Sequence, residues 1–246
     1  LFILAPYIVF VGCYGTYACI PFSSQYIGSG ITLGLFFIIA ISSLVVAGIM
    51  MAGWGSNNKY ALFGAVRSVA QIISYELSVG LSLLTIVVYA GTMQFSGIIE
   101  SQANGWWIFK GHVPALVAFI VFLIASTAET NRGPFDLAEA ESEIVAGFHI
   151  EYSGMKFAMF YMAEYIAMIA VSMIGAALYL GGYHFIGVDK YPLLGPIVYS
   201  LKVVLLLIIM VWVRGTLPRI RYDRLMTLGW KVMLPLVLSS VVWTAV

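Results

Sequence analysis

The sequence has 246 residues, of which 62% are hydrophobic and only 9% carry a charge. A soluble domain averages about 25% charged residues, so this chain has too few polar side chains to cover a water-exposed surface. The composition therefore predicts an integral membrane protein with several spans. Two cysteines are too few for a secreted disulfide scaffold, and a net charge of +1 argues against a nucleic-acid binder.

Apolar runs long enough to cross a bilayer, about 20 residues each, recur along the whole chain. The predicted fold class is an all-α, polytopic transmembrane helix bundle with seven spans: 1–20, 31–52, 68–90, 113–128, 157–180, 195–213 and 228–246. Because the chain begins and ends inside apolar runs, we expect it to be an interior portion of a longer protein. We interpret residues 1–246 as a single integral membrane domain.

Basic residues are concentrated in alternate connections. Nine of the twelve lie in or beside the loops that follow the second, fourth and sixth runs, and two lie in the other loops. By the positive-inside rule, loops 53–67, 129–156 and 214–227 are predicted to face the cytoplasm or its organellar equivalent. The arginine-rich loop 214–227 is interpreted as a topology anchor that binds anionic lipid head groups.

The loop 129–156 holds six of the eleven acidic residues. Pro134 can open a helix, on which Asp136, Glu139 and Glu143 then share one face. If these carboxylates are partly buried, they titrate together, as a proton-handling cluster requires. The alternative is a solvated acidic surface, although the apolar residues between the acids indicate that the loop packs against something.

Ionisable side chains inside a span are costly and usually functional. Glu76 in the third run, Glu164 in the fifth and Lys202 in the sixth are candidates for a proton relay, although Lys202 has a side chain long enough to reach the outer interface instead. The second run contains no acid, so a proton route must bypass it or use water and polar groups. His149 lies among carboxylates that are expected to raise its pKa.

Cys13 and Cys19 lie six residues apart in one apolar run and are interpreted as small packing residues. The sequence contains no CxxC motif and no Cys/His cluster. We therefore expect neither an iron–sulfur cluster nor a zinc ion to be bound by this chain.

Three segments carry a family resemblance: GWGSNNKYALFGAVRSVAQIISYE (53–76), AETNRGPFDLAEAESEIVAGFHIEYSGMKFAMFYMAEY (128–165) and LPRIRYDRLMTLGWK (217–231). They resemble the H-subunit (mitochondrial subunit 1) family of respiratory complex I, the proton-pumping NADH–quinone oxidoreductase. The resemblance implies a protein of eight helices, of which this portion supplies seven and lacks the first helix and the amphipathic segment that follows it. It also implies a location in the bacterial inner membrane or the mitochondrial inner membrane.

The resemblance implies that the chain acts as one component of an enzyme complex, without a redox centre of its own. It would form a chamber for a lipid quinone such as ubiquinone, and the start of a proton route called the E-channel. No flavin, iron–sulfur cluster or metal would be bound by this chain. The implied partners are the hydrophilic-arm subunits with the clusters and quinone site, small membrane subunits, antiporter-like subunits, the quinone and membrane lipids, but no nucleic acid.

The family's motifs also imply particular site residues. Those matched to the proton route are Glu76, Glu129, Asp136, Glu139, Glu141, Glu143, Glu151 and Glu164. Those matched to the quinone chamber are Lys59, Arg67, Arg132, Phe135 and Phe148.

Other functions remain as alternatives. The main one is the membrane module of a related proton-coupled hydrogenase or ferredoxin-dependent complex, which would lack bound quinone. A stand-alone transporter would work as an isolated chain. A purely structural anchor predicts that Glu76→Gln and Glu164→Gln variants assemble and work normally.

Overall fold

The computed structural model describes residues 1–23, 26–103, 105–136, 147–185 and 194–245, and the regular secondary structure of these residues is helical throughout. The helices are α1 Ala5–Gly15, α2 Gly34–Gly55, α3 Lys59–Ala90, α4 Phe95–Glu100, α5 Trp107–Lys110, α6 His112–Glu129, α7 Gly154–Tyr179, α8 Gly195–Thr216 and α9 Tyr222–Ala245. Six of them (α2, α3, α6, α7, α8 and α9) are long and apolar enough to cross a membrane. The predicted all-α polytopic bundle is confirmed.

Among the described residues, six helices are long and apolar enough to be spans, rather than the seven predicted. The first apolar run forms α1 and then a 3-10 helix, Thr16–Cys19, which together extend about 25 Å. That length falls short of the roughly 30 Å hydrocarbon core. The α-helix ends where the Thr16 hydroxyl donates to the carbonyl oxygen of Cys13 at 2.8 Å, a local hydrogen bond that hydrophobicity does not reveal.

The third span is longer than predicted. α3 begins at Lys59 rather than at residue 68, because the side chain of Asn58 caps it by accepting a hydrogen bond from the Tyr60 amide at 3.0 Å. It ends before Gly91, whose φ of +69° suits a left-handed helix cap. Lys59 and Arg67 therefore lie on a helix of 32 residues and not in a loop. In the same way, α9 begins at residue 222, inside the predicted loop 214–227.

The helix α3 is central in the bundle and packs against α2, α6 and α9, while α1 packs against α2 and α7. Glycines set the close approach of α1 to α2. A Cβ atom at Gly48 would lie 2.5 Å from Cγ2 of Val9, and one at Gly12 would lie 2.8 Å from Cγ2 of Val45. Small residues at such contacts are how membrane helices gain van der Waals packing.

The segment that follows α6 is held against α3 by amide side chains. Nε2 of Gln71 donates to the carbonyl oxygens of Ala128 at 2.8 Å and Phe135 at 2.9 Å. Nδ2 of Asn131 donates to Oγ of Ser68 at 3.2 Å. This part of the acidic loop is therefore packed on the bundle, as its apolar residues indicated.

The predicted acidic helix face falls largely outside the described residues, because residues 137–146 include Glu139, Glu141 and Glu143. Of the three residues expected to share that face, only Asp136 is described, and it lies in irregular structure after Pro134. The shared face therefore stays a prediction.

Candidate functional site

Glu76 lies on the side of α3 that faces α2, where two serines contact its carboxylate. Oγ of Ser42 lies 2.6 Å from Oε1 of Glu76, and Oγ of Ser43 lies 3.3 Å from the same oxygen. Sequence reasoning did not single out these serines. The available signal was a pair of adjacent hydroxyls in the middle of an otherwise apolar run that faces a run with a buried acid.

A cavity of about 90 Å³ lies beside Glu76 inside the bundle. It has room for several water molecules. Most of its wall is apolar, and its side chains with polar or sulfur atoms are Cys13, Thr16, Ser42, Glu76, Glu129 and Thr130. The cavity therefore brings Glu129, the last residue of α6, into the same space as Glu76.

A second cavity, of about 40 Å³, lies next to the first. Glu129 and Thr130 line both cavities, and Glu164 of α7 lines only the second. Phe148 closes part of its wall. Three carboxylates from α3, α6 and α7 thus face two adjoining spaces large enough for water, with Glu129 in the wall of both.

Glu164 forms an ion pair with Arg132. Its Oε2 lies 3.2 Å from Nη2 of Arg132, and the two side chains are only 17% and 12% exposed. The guanidinium carbon of Arg132 also lies 4.4 Å from the centroid of the Tyr165 ring, which is a cation–π distance. The segment after α6 is thereby joined electrostatically to α7.

Phe148 and His149 form an aromatic cluster with the start of α7. The imidazole of His149 meets the rings of Phe148, Phe157 and Tyr161 at centroid distances of 5.0, 5.2 and 5.9 Å. Burial in this cluster lowers the pKa of His149 below its usual value. The expectation of a raised pKa was wrong, because burial among the aromatic rings disfavours the charged imidazolium form.

Asp136 pairs with the arginine-rich loop. Its Oδ1 lies 3.8 Å from Nη2 of Arg219, and both side chains are about one-third exposed or slightly more. The Ile220 amide donates to the carbonyl oxygen of Pro134 at 3.1 Å. Because this contact lies outside the two cavities, the structure does not bring Asp136 together with Glu129.

Four further predicted site residues lie on or near α3, none of them lining the two described cavities. Glu151 is exposed, and its Oε1 accepts a hydrogen bond from Nδ2 of Asn58 at 2.9 Å. Lys59 is also exposed, whereas Arg67 is partly buried. Phe135 is buried, with its ring centroid 6.1 Å from that of Tyr75.

Lys202 is buried, and its ammonium group lies at the turn after α7. Its Nζ donates to the carbonyl oxygens of Leu180, Gly182 and His184 at 2.6, 2.8 and 2.7 Å. It also lies 4.8 Å from the centroid of the Trp106 ring. An ammonium group has three N–H donors, and all three have acceptors here. The geometry therefore fits a cap for the turn after α7, and the position of this turn relative to the outer interface stays a prediction.

Cys13 and Cys19 are both buried free thiols. Within the described ranges, no group of three or more His, Cys, Asp or Glu side chains is arranged to hold a metal ion. Cys13 lines both cavities and so shares them with the carboxylates.

Comparison with known proteins identifies the family. The family described as NADH dehydrogenase matches residues 1–245. The H subunit of NADH-quinone oxidoreductase from Bacteroides fragilis is 50% identical over 250 residues, which cover 98% of this chain and 70% of that protein. The chain belongs to the H-subunit family of NADH-quinone oxidoreductase. The H subunits of Rickettsia prowazekii and Rhodospirillum rubrum are 51% and 47% identical, over 98% and 99% of this chain and 71% of each relative.

Membership of the H-subunit family confirms the resemblance found in the three motif segments. The chain is an integral membrane component of NADH-quinone oxidoreductase, or complex I, an oxidoreductase complex in which it works with the other subunits.

Proposed function

We propose that this H subunit forms the membrane side of a quinone-binding chamber and the start of the proton route, or E-channel, that links quinone reduction to proton translocation. The observation that supports the route is the position of Glu129 in the walls of both cavities. Glu164 lies on one of these cavities and Glu76 on the other. A proton crossing an apolar bundle needs such a series of ionisable groups with space for water between them.

The chamber is proposed for the side of the bundle where the segment after α6 meets the aromatic cluster. Arg132 supplies a cation for the carbonyl groups of a quinone ring. The buried rings of Phe135 and Phe148 supply apolar walls for the quinone ring and its lipid tail. The remaining residues assigned to the chamber and its acidic loop are Lys59, Arg67, Asp136, Glu139, Glu141, Glu143 and Glu151.

Coupling begins when a partner subunit reduces the quinone and negative charge appears in the chamber. This charge competes with Glu164 for Arg132, because charges in a medium of low dielectric constant interact strongly over several ångströms. Once the ion pair weakens, Glu164 accepts a proton that enters with water from the cytoplasmic side. The proton then moves to Glu129 and Glu76 through water in the two cavities and leaves toward a neighbouring membrane subunit.

The other members of the complex supply the remaining steps. We assign the electron path and the far end of the quinone site to hydrophilic-arm subunits, and the later proton steps to small membrane and antiporter-like subunits. Since the relatives named above are bacterial proteins, we place the chain in a bacterial inner membrane as one membrane domain, with loops 56–58, 130–153 and 217–221 on the cytoplasmic side.

The proton route is tested with Glu129→Gln in membranes of a host that carries this protein in its complex I. After a native gel establishes assembly, we expect NADH:ferricyanide activity to persist while NADH:quinone activity and proton pumping fall. Glu100→Gln, at the exposed end of α4, is the matched control. Wild-type quinone reduction and pumping in Glu129→Gln would remove this residue from the route.

The chamber is tested separately with a photoreactive quinone bound to the assembled complex. We expect labelled peptides from residues 129–156, and we expect excess unlabelled quinone to prevent the labelling. Labelling confined to other subunits would place the chamber elsewhere. It would not bear on the proton route, which the Glu129→Gln experiment tests.

A further inference from the structure

Ser42 lies between two hydrogen-bond acceptors. Its Oγ is 2.6 Å from Oε1 of Glu76 and 2.8 Å from the carbonyl oxygen of Ile39 in its own helix. A serine hydroxyl carries one hydrogen, so it donates to only one of these oxygens at a time. Oγ of Ser43 has the same choice, at 3.3 Å from Glu76 and 3.2 Å from the Ile39 carbonyl oxygen.

The protonation of Glu76 decides which acceptor Ser42 uses. An ionised carboxylate only accepts, so Ser42 turns its hydrogen toward Oε1, and a distance of 2.6 Å is typical of an O–H···O⁻ bond. A protonated carboxyl can donate instead. Ser42 then accepts from Glu76 and donates to Ile39. Both arrangements satisfy the serine and the carboxyl oxygen without moving a heavy atom, because both acceptors are already within reach.

We propose that Ser42 is a positioning residue that holds the Glu76 carboxyl in one place in both of its protonation states. The inference rests on the proposed function, since it concerns a proton that reaches Glu76 through the larger cavity. No proton passes through Ser42. The proton enters and leaves Glu76 from the cavity side, where Glu129 and Cys13 are the other titratable groups, and the serine reverses the direction of its hydrogen bond.

The same reversal makes the hydrogen bonding of the α2 backbone depend on the charge of Glu76. When Glu76 is ionised, the Ile39 carbonyl loses the hydroxyl of Ser42 and keeps its helical partner, with the Ser43 hydroxyl also within reach at 3.2 Å. When Glu76 is protonated, the hydroxyl returns to Ile39, and serine bonds of this kind bend a helix slightly. The helix α2 is packed tightly on α1 through Gly12 and Gly48, so this change acts on a closely fitted helix pair.

The test compares three serine variants in assembled complex I. Ser42→Ala removes the hydroxyl, and Ser42→Thr restores one that can reach the same two acceptors. Ser172→Ala is the matched control, because Ser172 is a buried serine of α7 whose Oγ donates to the carbonyl oxygen of Met168 at 2.9 Å. The measurements are NADH:quinone activity, NADH:ferricyanide activity and redox-difference infrared spectra of the carboxyl region, with Glu76→Gln identifying the Glu76 band.

We expect Ser42→Ala to lower quinone reduction about tenfold, or about 1.4 kcal/mol in activation free energy, with ferricyanide activity unchanged. Its Glu76 carboxyl band should shift to higher wavenumber, because the protonated group has lost its acceptor. Ser42→Thr should restore the rate and the band, and Ser172→Ala should change neither.

Two results would overturn the inference. If Glu76→Gln is inactive in quinone reduction but Ser42→Ala keeps the wild-type rate and band, the positioning role fails and the proton route stands. If Glu76→Gln keeps wild-type activity, the proposed route fails at this residue and the role of Ser42 fails with it.

Discussion

Arg132 and Glu164 form a 3.2 Å ion pair between the segment after α6 and the middle of α7, with both side chains mostly buried. The pair lies at the boundary between the proposed chamber and the smaller cavity, which Glu164 lines. Its geometry makes the carboxylate sensitive to any charge that approaches the guanidinium from the chamber.

Glu164→Gln should destabilise the assembled complex by about 3 kcal/mol. Removing one partner of a largely buried ion pair leaves the other charge uncompensated, and such changes cost roughly 3–5 kcal/mol. The measurement is the temperature at which the complex dissociates on a native gel. Arg132→Gln should lower this temperature by a similar amount.

The double variant Arg132→Gln/Glu164→Gln separates the ion pair from the individual side chains. We expect it to be less destabilised than the two single variants added together, because it leaves no unpaired charge. Additive losses would show that the two residues stabilise the complex independently of each other.

Gln71→Leu should loosen the segment 130–136. The variant removes the two hydrogen bonds to the carbonyl oxygens of Ala128 and Phe135, and each buried polar group left unpaired costs about 1–3 kcal/mol. Hydrogen–deuterium exchange of the assembled complex should become faster in this segment. Such local opening precedes any loss of the global fold.

Gln102→Leu is the control for Gln71→Leu. Gln102 is equally buried, and its Nε2 also donates to two carbonyl oxygens, those of Ile98 and Ala177. The variant should speed exchange around α4 and leave the segment 130–136 unchanged. Equal effects of both variants on that segment would mean that the loss of a buried amide acts on the whole bundle.

Lys202→Met should destabilise the complex without changing the number of protons pumped per quinone reduced. The ammonium group is the partner of three carbonyl oxygens after α7, which the methionine leaves without a donor. Thermal dissociation measures the first effect and proton pumping in vesicles the second. A relay role for Lys202 predicts the reverse pattern, with normal stability and reduced pumping.

The control for Lys202→Met is Lys110→Met. Lys110 is an exposed lysine at the end of α5, and it also lies over an indole ring, with Nζ 5.1 Å from the Trp107 ring centroid. Its replacement should leave the dissociation temperature nearly unchanged, since exposed contacts of a cation contribute little.

The stability of the complex should fall in acid partly because of His149. Burial holds the pKa of His149 below the value of 6.5 of a free imidazole, so the unfolded chain binds the proton more tightly than the folded chain. The free energy of unfolding therefore decreases as the pH drops below about 6.5. His149→Phe should reduce this decrease when dissociation temperatures are compared on either side of that pH.

His112→Asn is the control for the pH experiment. His112 is exposed and has a φ of +52°, a backbone conformation that asparagine accepts more readily than most residues. This variant should keep the acid sensitivity of the wild type. If His149→Phe keeps it as well, the acid-labile groups lie elsewhere in the complex.

The boundaries of α3 show what local patterns can reveal and what they conceal. Hydrophobicity placed its start at residue 68, because Lys59 and Arg67 are charged, whereas the Asn58 cap begins the helix at Lys59. Asn58 was visible in the sequence as a capping residue, but the prediction gave more weight to the charges of Lys59 and Arg67. The burial of Lys202 and His149 could not be predicted in this way, because it comes from backbone carbonyls and aromatic rings in separate segments of the chain.

The candidate site was predictable only in part. The motifs pointed to Glu76, Glu129 and Glu164 individually, and the structure places all three on two adjoining cavities. It places Asp136 and Glu151 with Arg219 and Asn58 instead, where their charges are partly or fully exposed.

The sequence by itself determined that the chain is a helical membrane bundle, where most of its spans lie and which family it resembles. The bundle and its spans follow from the transfer of each segment from water to lipid, which depends on composition within about 20 residues. Only the tertiary structure decided that Ser42 meets Glu76 and that Arg132 meets Glu164. Such pairs join residues on different helices and far apart in the chain, and their contact depends on how whole helices pack, which no local pattern specifies.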